Sequence, residues 1–371
     1  MFISQADALQ ALVAQVARAP QVALDCEADS YHHYEEKLCL LQLTFTVDGQ
    51  PENRVVDPLA RGLDLQPLLA ALGQRRLLVH AADNDLRLIG KHGASFAASE
   101  VFDTMIAAQY LGEPGLGLAA LLQRHLGVTL DKALQVADWS RRPLTAAMIE
   151  YAALDTQHLP ALAARMEELL AQAGRLAWHQ QACARLVAQR PTPKAPRIDD
   201  PERWRISGSS DLSGRERAVL RLLWRWREAE ARARDSAPFR VLGNDVLLRM
   251  ARVALAEGAQ AAQALAPSRR HDAQLQAALA AGLAVPEREL PPRRAQEPEE
   301  RPTARQAARL NRLIAARDQA AGALALTPGV LASRAALARL WDEDAPTQER
   351  LVTTAGLLPW QAERLAATLG R

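Results

Sequence analysis

The sequence predicts an α/β layer fold with a mixed sheet, followed by two small all-α modules. Three observations predict it. Short, apolar, often β-branched segments crowd the first hundred or so residues, helical periodicity dominates the rest, and two proline-rich breaks divide the helical part. Strands are expected at 21–27, 38–47, 53–57, 77–82 and 99–103. The segment from Leu38 to Phe45 follows the first of these after a polar turn and should be its antiparallel neighbour. Helical patterns cover 4–18, 65–73, 85–92, 104–111, 116–126, 145–153 and 155–172. The basic run from Arg190 to Arg197 is proline-rich and reads as a linker. An amphipathic Arg/Leu/Trp helix follows at 213–234, with further helices at 239–256 and 271–284. A second linker, with five prolines, runs from Pro286 to Pro302, and 303–371 is helical again. No clean self-repeat is visible between the two modules.

Length and composition narrow the class. A chain of 371 residues is long for one domain, and two or three are expected. Hydrophobic residues at 49% are enough for real cores, yet the apolar runs are short and broken by charge, so no membrane span is expected. The stretch Met1–Asp7 lacks a basic region leading into a long apolar one, so no secretory signal is expected. Cys26, Cys39 and Cys183 make neither a disulfide framework nor a Cys-x-x-Cys zinc spacing, and a cytoplasmic location is the natural expectation. The net charge of +2 hides an asymmetry. Residues 1–189 carry 15 Lys+Arg against 21 Asp+Glu, a net of −6, and residues 190–371 carry 30 against 22, a net of +8. An acidic half able to hold cations is thus joined to a basic half able to hold a polyanion. The bland reading, that Arg-rich helices are merely solvated, stays open beside it.

Two pairs of residues carry the chemistry. Asp25 and Glu27 end the apolar run Val22-Ala23-Leu24, and i, i+2 on a strand share a face. Tyr151 and Asp155 stand four apart, which on a helix also shares a face. Asp85 follows the apolar run Leu77-Leu78-Val79 and offers a fourth carboxylate, with Asp83 and Asn84 competing as simple helix caps. Carboxylates collected from strand ends and a helix are hard oxygen ligands suited to Mg²⁺ or Mn²⁺. Two acids on one strand face repel unless a cation intervenes, which speaks against a merely solvated strand end.

Taken together, Ala23-Leu24-Asp25-Cys26-Glu27, His80-Ala81-Ala82-Asp83-Asn84-Asp85-Leu86 and Tyr151-Ala152-Ala153-Leu154-Asp155 resemble the motifs of ribonuclease D, a family of DEDD 3′→5′ exonucleases. Val101-Phe102-Asp103-Thr104 and the segment Asp138–Leu144 look like the family's connecting segments. Tyr four residues before the last Asp, with Glu150 where the other subgroup has His, puts the chain in the tyrosine subgroup. The likeness is strong over 1–185 and weaker beyond. It sharpens the fold to an α/β ribonuclease H-like exonuclease domain with mixed sheet. The run from Pro238 to Asp245, followed by Leu247-Leu248, looks like the HRDC domain, and the last module resembles a divergent second copy. The implied organisation is an exonuclease domain at 1–189, a linker at 190–209, an HRDC-like domain at 210–290, a linker at 291–302 and a second HRDC-like domain at 303–371.

The resemblance implies Asp25, Glu27, Asp85 and Asp155 as holders of two divalent cations, Mg²⁺ or Mn²⁺, and Tyr151 as the group that orients the attacking water. It places the second-motif ligand directly before Leu86, at Asp85. Asp103 reads as structural. His33 and Tyr34, in the loop after the first motif with His32, read equally as substrate contacts or as a polar loop, and His80 as packed beside its strand or reaching substrate. Relatives often carry an aromatic directly after the first-motif Glu. Here that position is Ala28, so a stacking contact would fall to Tyr31 or Tyr34. Trp204, Trp224 and Trp226 lie among arginines and read as core or as base-stacking residues.

The expected activity is 3′→5′ exoribonuclease, releasing nucleoside 5′-monophosphates from RNA with a free 3′ end, tRNA precursors among them. No membrane and no obligate protein partner is expected. A 3′→5′ DNA exonuclease is the rival enzyme reading, since no residue visibly reads a 2′-hydroxyl. A catalytically dead RNA-binding protein is the third, and the presence of all four carboxylates weighs against it. A helicase is disfavoured because no Gly-x-x-x-x-Gly-Lys-Ser/Thr loop occurs. A chain ending near Arg190 keeps the four carboxylates and is expected to keep the chemistry.

Overall fold

Among the described residues, six strands form one mixed sheet in the order β1-β4-β3-β2-β5-β6: β1 Phe2–Ile3, β2 Gln21–Ala28, β3 Leu38–Val47, β4 Gln50–Val56, β5 Arg76–Val79 and β6 Glu100–Asp103. The computed structural model describes residues 1–92, 96–130, 134–189, 200–266, 272–293 and 302–370. They fall into two compact units. One comprises Met1–Ala28, Leu38–Pro193 and Arg301–Arg371, the other Asp29–Lys37 and Lys194–Glu300.

In the first unit β2 is central, antiparallel to β3 and parallel to β5. Leu38 to Phe45 is buried on both faces, which is why this strand reads as a nearly unbroken apolar run. Period-2 alternation sorts the side chains into two cores. Val22, Leu24, Leu41, Leu43, Leu77 and Val79 meet α1 (Ala6–Arg18), α2 (Gln66–Gly73) and α3 (Asp83–His92) on one face. Ala23 and Leu78 point the other way, into a core shared with α4 (Thr104–Leu111), α5 (Leu118–Leu126), α7 (Leu159–Gln172) and α8 (Leu176–Gln189). Asp25 and Glu27 follow Ala23 in that alternation, so they share its face. That face is covered by α6 (Ala146–Gln157), whose Thr156 hydroxyl lies 2.9 Å from that of Thr44 and whose Ala153 carbonyl accepts from Asn53 at 2.8 Å.

Several boundaries differ from expectation for identifiable reasons. The strand expected at 77–82 stops at Val79, because Ala81 turns to φ 60° and α3 begins at Asp83. The break expected between 153 and 155 falls after Gln157, where Pro160 in the first turn of α7 stops helix continuation. Tyr151 and Asp155 therefore lie on one helix. β4 starts at Gln50, earlier than its polar residues suggested, because the Asp48-Gly49 turn zips Val47 against Gln50. Trp204, Trp224 and Trp226 are all buried in the core of the first helical module, which settles their role as packing.

That module, in the second unit, contains α9 (Gly214–Ala233), α10 (Pro238–Val241), α11 (Asn244–Glu257), α12 (Ala259–Gln263) and α13 (Asp272–Leu283). The last module has α14 (Ala304–Ala323), α15 (Pro328–Leu331), α16 (Arg334–Ala338), α17 (Gln348–Thr353) and α18 (Pro359–Thr368). A repeat not visible in the residues is plain in the geometry. Each feature recurs 90 residues on: the capping box Ser213/Glu216 at Thr303/Gln306, and the left-handed Asp235 (φ 44°) at Ala325 (φ 52°). The four-residue helix opening at Pro238 recurs at Pro328.

Residues 303–371 do not stand apart from the sheet. Trp360 stacks on Trp178 at 4.3 Å and meets Tyr110 edge-on, while Arg175 donates to the carbonyls of Tyr110 and Leu324 at 2.6 Å each. A Cβ on Gly112, itself left-handed, would collide with the Ala325 carbonyl. The last module thus shares one core with the sheet's helices. The expected linker at 190–197 and much of that at 286–302 lie outside the described residues. Among the described residues, no helix is long and apolar enough to cross a membrane.

Candidate active site

Three carboxylates converge on the covered face of the sheet. Asp25, Glu27 and Asp155 each offer an oxygen within 4.8 Å of the others, two from β2 and one from α6. The strand supplies its pair by alternation, and a bulge at Glu27/Ala28 ends the regular β2–β3 register. The helix brings Asp155 because the Thr44–Thr156 and Asn53–Ala153 contacts fix its rotation and height over β3 and β4. Asp85, only 5% exposed, stands outside this triplet in the first turn of α3, yet its charge reaches Asp25 and Glu27.

Asp103 shows how Asp85 is aimed. Its carboxylate accepts from the backbone N–H groups of Ala81 and Ala82 at 3.1 and 2.9 Å. It also caps α4 through Met105 and Ile106. One buried acid therefore fixes the left-handed turn that launches α3, in agreement with its reading as structural.

Electrostatics of the cluster are dominated by burial and mutual repulsion. Desolvation, then Asp25 and Asp155, push Glu27 up to about 9. Desolvation and Asp155 push Asp25 up to about 7, against one backbone hydrogen bond that opposes them. Burial alone lifts Asp155 to about 6, and burial followed by Asp25, Asp103 and Glu27 raises Asp85 well above the usual carboxylate range. Proteins rarely gather acids that cannot all ionise without compensation. The donor set is all carboxylate oxygen, so the compensation it fits is a hard divalent cation.

Tyr151 sits one helical turn before Asp155, partly buried, its ring 6.0 Å from that of Trp139. Arg142 locks the preceding segment to the sheet by gripping Asp57 with two hydrogen bonds of 2.8 and 2.5 Å and donating to the Cys39 and Trp139 carbonyls.

His80, Tyr34 and His33 each have a partner within the protein. His80 is turned to Thr104, its Nδ1 2.9 Å from the hydroxyl, and burial lowers its pKa. Tyr34 is 9% exposed and presents no open ring face. His33 binds the Asp235 carboxylate at 2.8 Å, within the second unit. Gln42 belongs to no motif, yet it is fully buried directly opposite Asp25 in the β2–β3 ladder. Its signal in the sequence is an amide set between Leu41 and Leu43 in a mostly apolar strand.

Comparison with known proteins agrees with this geometry. Residues 1–171 match the family profile described as 3′-5′ exonuclease, and residues 216–265 match that of the HRDC domain. Ribonuclease D of Granulibacter bethesdensis is 31% identical over 353 residues, covering 93% of this chain and 86% of that protein. Ribonuclease D of Zymomonas mobilis is 34% identical over 258 residues, which span 67% of this chain and 63% of that one. The crystal structure of Escherichia coli RNase D, described as an exoribonuclease involved in structured RNA processing, superposes with a TM-score of 0.69 at 27% identity, covering 100% of this chain and 97% of that one. By sequence along nearly its whole length and by fold, the chain belongs to the ribonuclease D family of 3′→5′ exonucleases.

Proposed function

We propose that the protein is a metal-dependent 3′→5′ exoribonuclease that removes nucleoside 5′-monophosphates one at a time from RNA 3′ ends, tRNA precursors among its substrates. The observation that carries the reading is the meeting of Asp25, Glu27 and Asp155 within 4.8 Å, with Asp85 close enough to feel their charge. Asp25, Glu27, Asp85 and Asp155 would hold two divalent cations, Mg²⁺ or Mn²⁺. When bound, such a pair neutralises charge on the reacting phosphodiester and makes water a better nucleophile near neutral pH.

The chain's own residues do the rest. The four carboxylates come from three elements pinned by Asp103, Thr44–Thr156 and Arg142–Asp57, so their geometry is set before substrate arrives. The Tyr151 hydroxyl, one helical turn before Asp155, positions the attacking water by hydrogen bonding. The basic residues 190–371 attract the phosphate backbone of the RNA body. The likeness, at 27% identity, to an exoribonuclease involved in structured RNA processing supports RNA over DNA as substrate.

The test uses one oligomer as RNA and as DNA, labelled at either end, with Mg²⁺, Mn²⁺ or chelator. Immediate release of a 3′ label as mononucleotide, with stepwise shortening of the 5′-labelled RNA and none under chelator, is expected. Internal cleavage, or faster digestion of DNA than of RNA, would overturn the assignment.

A further inference from the structure

Among the described residues, the exposed large aromatic side chains are Tyr31 at 57% and Phe239 at 52%, and they touch. Their rings meet edge to face, with centroids 5.6 Å apart and planes at 75°. Both belong to the second unit, Tyr31 in its 29–37 segment and Phe239 in α10. The pair is fixed from beneath. Arg240 donates from Nε to the Tyr31 carbonyl at 2.6 Å and lies 3.2 Å from His32 Nδ1. Asp235 accepts from His33 Nδ1 at 2.8 Å and from the Tyr34 backbone N–H at 3.2 Å.

The second helical module supplies an internal control. It follows the same path through Ala325, the α15 helix opening at Pro328, and Ala332, whose φ of −161° matches −157° at Leu242. At the places of Phe239 and Arg240 it carries Gly329 and Val330. The turn therefore forms without an aromatic side chain, and folding does not account for the solvent-facing phenyl ring of Phe239. Both rings stay about half exposed although they touch, so a further occupant would cover apolar surface that the chain itself leaves open.

We propose that Tyr31 and Phe239 form a stacking platform for one unpaired base of the RNA strand. This rests on the exoribonuclease reading. Every base has a π-face, and aromatic side chains held rigid beside guanidinium groups take single-stranded bases without regard to sequence. The two backbone ties spare the cost of ordering the rings on binding. Tyr31 follows Glu27 by four residues along the chain, so the test starts from the 3′ half of the strand.

The test is an abasic scan. Affinities of the full-length protein are measured by fluorescence anisotropy, under chelator, for a single-stranded RNA of about ten nucleotides (one OB-fold footprint or so) with an abasic site moved through its 3′ half. Wild type is expected to lose about 5- to 150-fold at one position, the equivalent of roughly 1–3 kcal/mol per stacked base. Tyr31→Leu and Phe239→Gly, the latter copying the second module, should bind the intact strand correspondingly more weakly and be indifferent to the abasic site there. Tyr31→Trp should restore the sensitivity. A flat scan for wild type, or variants that keep the position-specific loss, overturns the platform. Cleavage of the intact strand with Mg²⁺ is followed in parallel: if wild type cleaves and the scan is flat, the platform alone falls, whereas no cleavage at all removes the exoribonuclease reading.

Discussion

Gln42 lies directly across from Asp25 on β3, wholly buried, and among the described residues neither its amide nitrogen nor its amide oxygen has a hydrogen-bond partner. Alternation puts both side chains on the α6 face, since Leu41 and Leu43 point to the opposite core. An orphaned buried amide costs about 1–3 kcal/mol, and its natural acceptor or donor lies in the carboxylate cluster and the ligands that cluster gathers. Gln42→Leu keeps the volume and removes the orphan. It should raise the melting temperature in chelator while weakening Mg²⁺ or Mn²⁺ affinity by about 10- to 100-fold, the usual effect of losing a group that orients a ligand. Calorimetric titration with Mn²⁺ checks it; unchanged metal affinity would show that the amide has no part in the site.

The raised carboxylates make stability depend on both pH and metal. Asp25, Glu27 and Asp155 stand near 7, 9 and 6 in the fold, against ordinary values of 3.8, 4.5 and 3.8. Below about pH 4 both states hold these protons and the groups contribute no slope. As pH rises through the ordinary carboxylate range, the unfolded chain releases protons that the native state retains. Native stability in chelator should therefore decline from about pH 4 up to about pH 9. Cation binding replaces those protons, so the gap in melting temperature between Mg²⁺-saturated and chelated protein should widen with pH over that window. A gap that narrows as pH rises contradicts the assignment of these groups as a repelling, cation-requiring cluster.

For Tyr151, the expected change is confined to turnover. Tyr151→Phe keeps the ring beside Trp139 and removes only the hydroxyl. The four carboxylates are untouched, so Mn²⁺ affinity and melting temperature should hold. Loss of one positioning hydrogen bond should lower kcat by about tenfold to a thousandfold with little change in KM. Wild-type kcat for the phenylalanine variant removes the hydroxyl from the mechanism.

Legibility in the sequence followed the range of the interaction. Asp25/Glu27 and Tyr151/Asp155 were readable because strand and helix periods are local, whereas the capping role of Asp103 emerged only from its hydrogen bonds to Met105 and Ile106. Gln42 was not, since its importance depends on a strand partner seventeen residues away facing the same side. The two-residue strand Phe2–Ile3 is too short to show a periodic signal and exists because it pairs with Val55 and Val56. The 90-residue repeat is carried by caps and backbone angles that different residues satisfy, such as Ser213 and Thr303, so identity does not reveal it. The burial of Trp226 among arginines was a tertiary outcome: arginine stems cover apolar surface while their heads reach water.

The core shared by Trp178, Tyr110 and Trp360 changes what truncation should do. A chain ending near Arg190 retains every carboxylate, and from sequence alone it was expected to retain the chemistry. In the fold, that cut removes Leu326, Leu331, Leu358 and Trp360 from a core that includes Leu162, Met166 and Leu170, and bares Trp178 and Tyr110. Trp360→Ala isolates the effect without deleting the module. Truncating a buried Trp costs about 3–5 kcal/mol, and because the core is continuous with α7 and α8, the loss should fall on the catalytic layer. A single cooperative transition at lower temperature is expected, with heat inactivation of nuclease activity shifting in step. If activity survives to the wild-type temperature while an early transition melts the helices of 303–371 alone, the last module folds as a separate body and the shared core contributes little.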